Sequence, residues 1–365
     1  MTLEETVAAT RRDAALFDLA DGPGARGLLE VRGDDRVRWL DGMISGDVQA
    51  LEAAGSGSGC YATMLTNRGA IVADVHVVRW DDAFWLETLR SGLPHLKETL
   101  ERYVIADDVE LVDRSADHAV LGLEGPAAMA VFGRAAGRGE TALPASHWAR
   151  TRIDGREVVA AAFGWSGEPA LQLRMAPGDR AKVEASLDAA APGGRLVRGD
   201  LEALEVLRVE AGIPALGREL DEEVLPPEAR LDHAVSTTKG CYVGQEIVAR
   251  LRSRGRVNHL LVGLRLDLPA AGGAAPDVGA DVVAGGRTTG EITSVVCSPS
   301  QGWVALGYVR REHAEPETAV DVGGVPARVA ALPFVAPIGS APPPSGASPA
   351  SSGEAAPPAS ETGVG

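Results

Sequence analysis

Between residues 256 and 335 the chain repeats one pattern, short runs of β-branched and aliphatic residues each cut off by glycine. "HLLVGLRLDL", "ADVVAGGRTTGEITSVVCS" and "WVALGYVRR" carry it. Residues that alternate with a period of two point to opposite faces of an extended chain, so such runs bury one face as strands. No helical periodicity of useful length interrupts them. The pattern predicts an antiparallel barrel or sandwich over residues 256–336.

The preceding region, residues 1–255, mixes two periods. "GLLEVRG" and "AIVADVHVVRW" alternate like strands, and "AFWLETL" continues the second as a hairpin. "DDRVRWLDGMI", "GLPHLKETLERYVI" and "RAKVEASLDAA" space their apolar residues like helices, and "MTLEETVAATRRDAALFDLADG" reads as a first helix. Strands and helices interleave with no glycine-rich phosphate loop at a strand-to-helix junction. That predicts an α+β assembly of two interleaved lobes rather than a doubly wound nucleotide-binding sheet. From residue 337 to 365 the chain is mostly proline, alanine, serine and glycine, too poor in apolar surface to offset chain entropy, and is expected to be a disordered tail.

Composition narrows the function classes. At 365 residues more than one domain is expected, and aromatics are only 4%, so alanine, valine and leucine must fill the core. A net charge of −16 argues against non-specific binding to nucleic acid or acidic membranes, which need a positive surface. No apolar stretch approaches the roughly 20 residues of a membrane span, and the N-terminus lacks the basic-then-apolar order of a secretory signal. A cytoplasmic protein is expected. Cysteines 60, 241 and 297 form no CxxC pair and the seven histidines are scattered, so neither a disulfide framework nor a permanently bound metal is expected.

Four stretches could carry chemistry. In "TTKGCYVGQEIVAR", residues 237–250, Ile247, Val248 and Leu251 recur at helical spacing, so a helix should begin near Gly244 or Gln245. Cys241 then stands just before a helix N-terminus with Lys239 two residues away, both of which favour the thiolate. The same residue could equally be a small apolar plug beside a glycine turn. Glu210 falls in the last turn of the amphipathic helix "LEALEVLRVE", which Gly212 and Pro214 end; it is a surface carboxylate or one held there for a ligand. Asp74 lies on the strand after a predicted Asn-Arg-Gly turn, on the face it shares with His76 and Val78, where solvent and ligand readings balance. Arg250, Arg252, Arg254 and Arg256 form either a solvated helix end or an anion site for a carboxylate tail.

Together these stretches resemble the YgfZ-type folate-binding proteins, relatives of the glycine cleavage T-protein. "KGCYVGQEIVAR" is the specific part, through Lys239, Gly240, Cys241, Tyr242, Gly244, Gln245 and Glu246. "LLEVRGDDRVRWLDGMISGDV", "YATMLTNRGAIVADVHV", "LRVEAGIPALGREL" and "GEITSVVCSPSQGWVALGYV" extend the resemblance over most of residues 1–335. It implies a three-lobed ring with tetrahydrofolate, or a one-carbon derivative, in a central channel and a C-terminal β-barrel. By the same resemblance Glu210 would bond the pterin edge, and Asp74 would lie near the folate nitrogens. Lys239 would lie near the folate's glutamate moiety, and Trp85 would line the pterin. Two departures stand out: the first aspartate of the T-protein pair is Ala73 here, and T-proteins lack the cysteine motif.

The resemblance implies a folate-binding accessory protein for iron–sulfur cluster assembly or repair, with Cys241 as its working thiol and iron–sulfur proteins or their assembly factors as partners. The alternatives are a folate-dependent aminomethyltransferase and a non-catalytic folate sensor with a structural Cys241.

Overall fold

The computed structural model describes residues 2–22, 24–138, 143–269 and 273–337. The expected disordered tail therefore lies, from residue 338 onward, outside the described residues.

Helix α1 (Leu3–Arg12) starts where the sequence can satisfy its free amides: Thr2 and Glu5 form a reciprocal capping box. It is shorter than the sequence suggests. After Arg12 the apolar residues switch from helical spacing to alternation, and β1 (Ala15–Asp18) follows. Next come β2 (Arg26–Arg32), α2 (Arg36–Met43), α3 (Val48–Ala54), β3 (Gly59–Leu65), β4 (Ile71–Trp80), β5 (Ala83–Leu89), α4 (Leu93–Glu101) and β6 (Glu110–Asp113). Strands β2 to β6 make an antiparallel sheet in the order β3-β4-β5-β2-β6.

A second sheet follows from β7 (Ala119–Glu124), α5 (Ala128–Ala135), β8 (Trp148–Ile153), β9 (Arg156–Ala161), β10 (Ala170–Met175), α6 (Arg180–Ala190) and β11 (Val197–Gly199). Its six strands run β11-β1-β7-β10-β9-β8, so β1 is lent from the start of the chain. The two sheets interleave in sequence and meet face to face, Leu28, Val78 and Trp80 of the first packing on Trp148, Val159 and Ala161 of the second.

Helix α7 (Leu201–Ala211), capped by Asp200 at its start and ended by Gly212 at φ +67°, wedges between the second sheet and the last unit. Helix α8 (Gln245–Arg254) leads into that unit. It comprises β12 (His259–Leu266), β13 (Asp281–Ala284), β14 (Arg287–Ser298), β15 (Gly302–Arg310), β16 (Ala319–Val322) and β17 (Val325–Ala330), closed into an antiparallel barrel. Closure removes the exposed edges that six short strands would otherwise present. The architecture is thus α+β with three lobes. Among the described residues no helix is long and apolar enough to cross a membrane.

Candidate functional site

A cavity of about 550 Å³ lies where the three lobes meet. Arg26 and Asp74 reach it from the first sheet, and Trp165 from beside the second. Leu201, Leu204, Glu205 and Arg208 line it from α7, because a spacing of three and four puts them on one helix face. Val296, Cys297 and Trp303 enter from the barrel.

Asp74 is the sequence-selected residue that this cavity contains. Its alternation on β4 turns it inward, where it is 3% exposed. The Tyr61 hydroxyl donates to its Oδ2 at 3.0 Å. Burial pushes its pKa up, against the opposing pull of Arg26 and that hydrogen bond. The Tyr61 phenol is itself pushed well up by burial and by the Asp74 charge, so it remains the donor. His76, two residues along the same face, stacks on Phe163 at 3.6 Å; burial lowers its pKa to about 3 and keeps it neutral. The arrangement can hold a proton at Asp74 beside a ligand, which is the requirement for a group that orients or protonates an amine nitrogen.

Sequence reasoning passed over the charged floor beneath Asp74. Arg26 Nε donates to Glu87 Oε1 at 2.7 Å, and Arg174 pairs with the other oxygen of the same carboxylate. All three side chains are 1% exposed or less. Burial alone would raise the Glu87 pKa, but Arg174 and Arg26 hold it below the usual range and therefore ionised. The signal was available: Arg174 interrupts the apolar run "ALQLRM", and a strand buried on both faces tolerates a charge only when it is paired.

Glu210 is not the surface residue that its helix position suggested. It is 1% exposed, accepting from Arg11 Nη2 at 2.8 Å and from Ser298 Oγ at 2.5 Å. Its carboxylate ties α1 to the barrel and is absent from the cavity lining. Two residues earlier, Arg208 donates to both oxygens of Glu205 and to Glu219, which also accepts from Thr293 and Ser294 at the β14 bulge.

The cysteine motif builds a rigid turn away from the cavity. Lys239 Nζ donates to the backbone carbonyls of Asp41, Ile44 and Gly46 and lies 3.2 Å from the Asp41 carboxylate, so it closes the C-terminus of α2. Burial lowers its pKa and Asp41 opposes that. The cation expected beside the thiol, or at a folate tail, is spent on this clamp. The Tyr242 ring is buried, and Val243 N–H donates to the Gly42 carbonyl at 3.1 Å. Gly244 takes φ +83°, and a Cβ there would meet the Thr66 oxygen at 2.7 Å. Gln245 opens α8 as its spacing predicted, and Glu246 pairs with Arg250 on the exposed face. Within this tied-down turn the Cys241 side chain is exposed. Cys60, by contrast, is pushed to about 12 by burial.

Trp85 lies outside the cavity lining, in an aromatic group with Trp80, Trp148 and His118. Arg250, Arg252 and Arg256 face solvent, the first two beside Glu246 and Asp232. Among the described residues no group of three or more His, Cys, Asp or Glu side chains is arranged to hold a metal ion.

Residues 1–239 match the family model described as the GCVT N-terminal domain, and residues 260–336 match the glycine cleavage T-protein C-terminal barrel domain. An aminomethyltransferase from Rubrobacter xylanophilus is 32% identical over 334 residues, covering 89% of this chain and 84% of its own. One from Thermus thermophilus is 32% identical over 342 residues, covering 90% and 88%. The solved glycine cleavage system aminomethyltransferase T of Bartonella henselae superposes with a TM-score of 0.77 at 24% identity, over 92% of this chain and 90% of that one.

Proposed function

The chain belongs to the glycine cleavage T-protein family, and from that premise we propose that it binds tetrahydrofolate, or a one-carbon derivative, in the cavity at Asp74. We further propose that it serves iron–sulfur cluster assembly or repair in the cytoplasm as a YgfZ-type accessory protein. The observation that carries this reading is the exposed Cys241 on a turn that Lys239, Tyr242 and Val243 hold fixed. Cysteine is usually buried, so a rigid turn that presents one to solvent favours a working thiol over a plug. One thiolate is too few for a conventional four-cysteine cluster site, so cluster contact is transient or shared with a partner protein.

In this reading the ligand roles that the resemblance gave are redistributed. Asp74 is the folate-facing carboxylate. Glu210 could meet a pterin edge only by exchanging Arg11 and Ser298, Lys239 acts as the clamp of the thiol-bearing turn, and Trp85 supports the sheet-to-sheet contact.

A second reading, folate-dependent aminomethyl transfer, is favoured by the names of the relatives and by the retained Asp74; Ala73, in place of a second carboxylate, weighs against it. Addition of tetrahydrofolate at about 100 times its dissociation constant should stabilise the fold by about 2.7 kcal/mol. No rise in melting temperature at saturating reduced folate would sink both readings. Cys241→Ala should keep that rise yet fail to support cluster-dependent enzymes in cells. Normal support by this variant would return Cys241 to a structural role, and turnover of an aminomethyl-lipoyl carrier would select the transferase.

A further inference from the structure

Behind the wall that carries Arg26 and Asp74, charge and hydrogen-bonding capacity do not balance among the described residues. Arg26 lines the cavity with its guanidinium 4.7 Å above the Trp165 ring, one nitrogen given to Glu87 and Nη2 without a partner. Arg174, fully buried, meets Glu87 Oε2 as an ion pair through Nη2, and none of its guanidinium nitrogens has a hydrogen-bond partner, nor has that oxygen. Gln172, two residues along the same strand, is also fully buried, and neither atom of its amide has a partner. Two guanidinium groups thus share one carboxylate. An uncompensated buried cation is costly, and so is each buried donor left unpaired.

Asp74 does not restore the balance. It stands on the cavity side and meets Tyr61, and burial favours its neutral form. What the floor lacks is one negative charge spread over two acceptor oxygens, the geometry that guanidinium groups select.

We propose that Arg26, Arg174 and Gln172 form a subsite for a small free monocarboxylate behind the cavity wall, with Arg26, which lines the cavity, as its outer member. The carboxylate accepts from Arg26 Nη2 and from the uncommitted Arg174 nitrogens, while Glu87 and Trp165 hold the arginine planes in place. The inference goes beyond the folate reading, because it names a second ligand and requires no folate.

The test is calorimetric titration of the full chain with acetate and with formate, using acetamide as the uncharged-acceptor control, in the absence and presence of tetrahydrofolate. The expected result is one saturable site for each carboxylate, none for acetamide, and persistence when tetrahydrofolate is present. Arg26→Lys keeps a cation for Glu87 and so guards the fold, but removes the planar fork; it should weaken acetate by about tenfold or more. Absence of carboxylate binding, or equal affinity in Arg26→Lys, overturns the proposal. Displacement of acetate by tetrahydrofolate also overturns it, by assigning the subsite to a carboxylate of the folate itself. Failure of folate to bind leaves the acetate result intact and counts only against the folate reading.

Discussion

Asp74 and Cys241 are the two groups on which the proposed chemistry rests, and the protein places them in opposite environments. Asp74 is 3% exposed, in a chamber where burial, Arg26, Tyr61 and Glu87 set its charge. Cys241 is exposed on a turn whose neighbours are all engaged elsewhere. In the chamber each charge is sustained by another, so removing one group leaves its partners exposed to the full cost of burial. On the turn, rigidity comes from backbone and Lys239 contacts that the thiol does not share. Substitutions in the first region should therefore act on stability, and substitution of the thiol should act on function alone.

The largest effect should come from Glu87→Ala. It strands two cations, Arg26 and Arg174, that are 1% exposed or less. Breaking a buried pair by removing one partner costs about 3–5 kcal/mol, read as a lowered urea midpoint. A loss below about 1 kcal/mol would mean that solvent reaches the chamber floor and that the contrast drawn above is false.

Gly244→Ala comes next and tests whether the turn is as fixed as the chamber. The added Cβ would stand 2.7 Å from the Thr66 oxygen and 2.9 Å from Leu65 Cβ, at a φ of +83° that alanine rarely adopts. The expected cost is about 1–3 kcal/mol, with faster proteolysis around residues 240–246. Unchanged proteolysis there would show a turn that relaxes at no cost.

The sequence made the local features readable and left the partnerships hidden. The barrel strands, the strand that carries Asp74, and the start of α8 at Gln245 all follow from periods of two and 3.6 read within a short window, whereas the inward orientation of Asp74 does not. The first helix ends sooner than its sequence suggests because "ALFD" has apolar residues compatible with either period until β7 and β11 pair with it. Side-chain commitments were out of reach for a physical reason. Arg11 and Glu210 are 199 residues apart, and Lys239 and Asp41 are 198. A window over "LRVEAG" sees a carboxylate at a helix end, where solvent is the default; only the arrival of α1 and Ser298 buries it.

A smaller effect, and one of opposite sign at two neighbouring residues, lies in pH dependence. Burial depresses His76 to about 3, so the unfolded chain takes its proton first as pH falls through about 6.5, and folded stability is lost in that window. Asp74 shifts upward, so the folded chain holds its proton more tightly, and stability is gained as pH falls through the raised value. Each contributes at most about 1.4 kcal/mol per pH unit. His76→Phe, which preserves the stack on Phe163, should flatten the acid loss of melting temperature between pH 7 and 4. Asp74→Asn should steepen it. Parallel curves for both variants and the parent protein would show that neither group is sealed from solvent.

The smallest stability effect should be that of Cys241→Ser. An exposed side chain outside the turn's hydrogen bonds should change the unfolding free energy by no more than about 0.5 kcal/mol. Thiol labelling of the native parent protein gives the same contrast a second readout. At pH 8 a thiol whose pKa is about 12 is ionised in about 1 molecule in 10⁴, so Cys60 should stay unmodified while Cys241 reacts. Cys297, in the cavity wall, supplies an internal control: tetrahydrofolate should slow its labelling and leave that of Cys241 unchanged. Protection of Cys241 by folate would join the two regions into one site. Labelling of Cys60 as fast as Cys241 would remove the distinction between a sealed thiol and a presented one, and with it the reason to give the turn a chemical role.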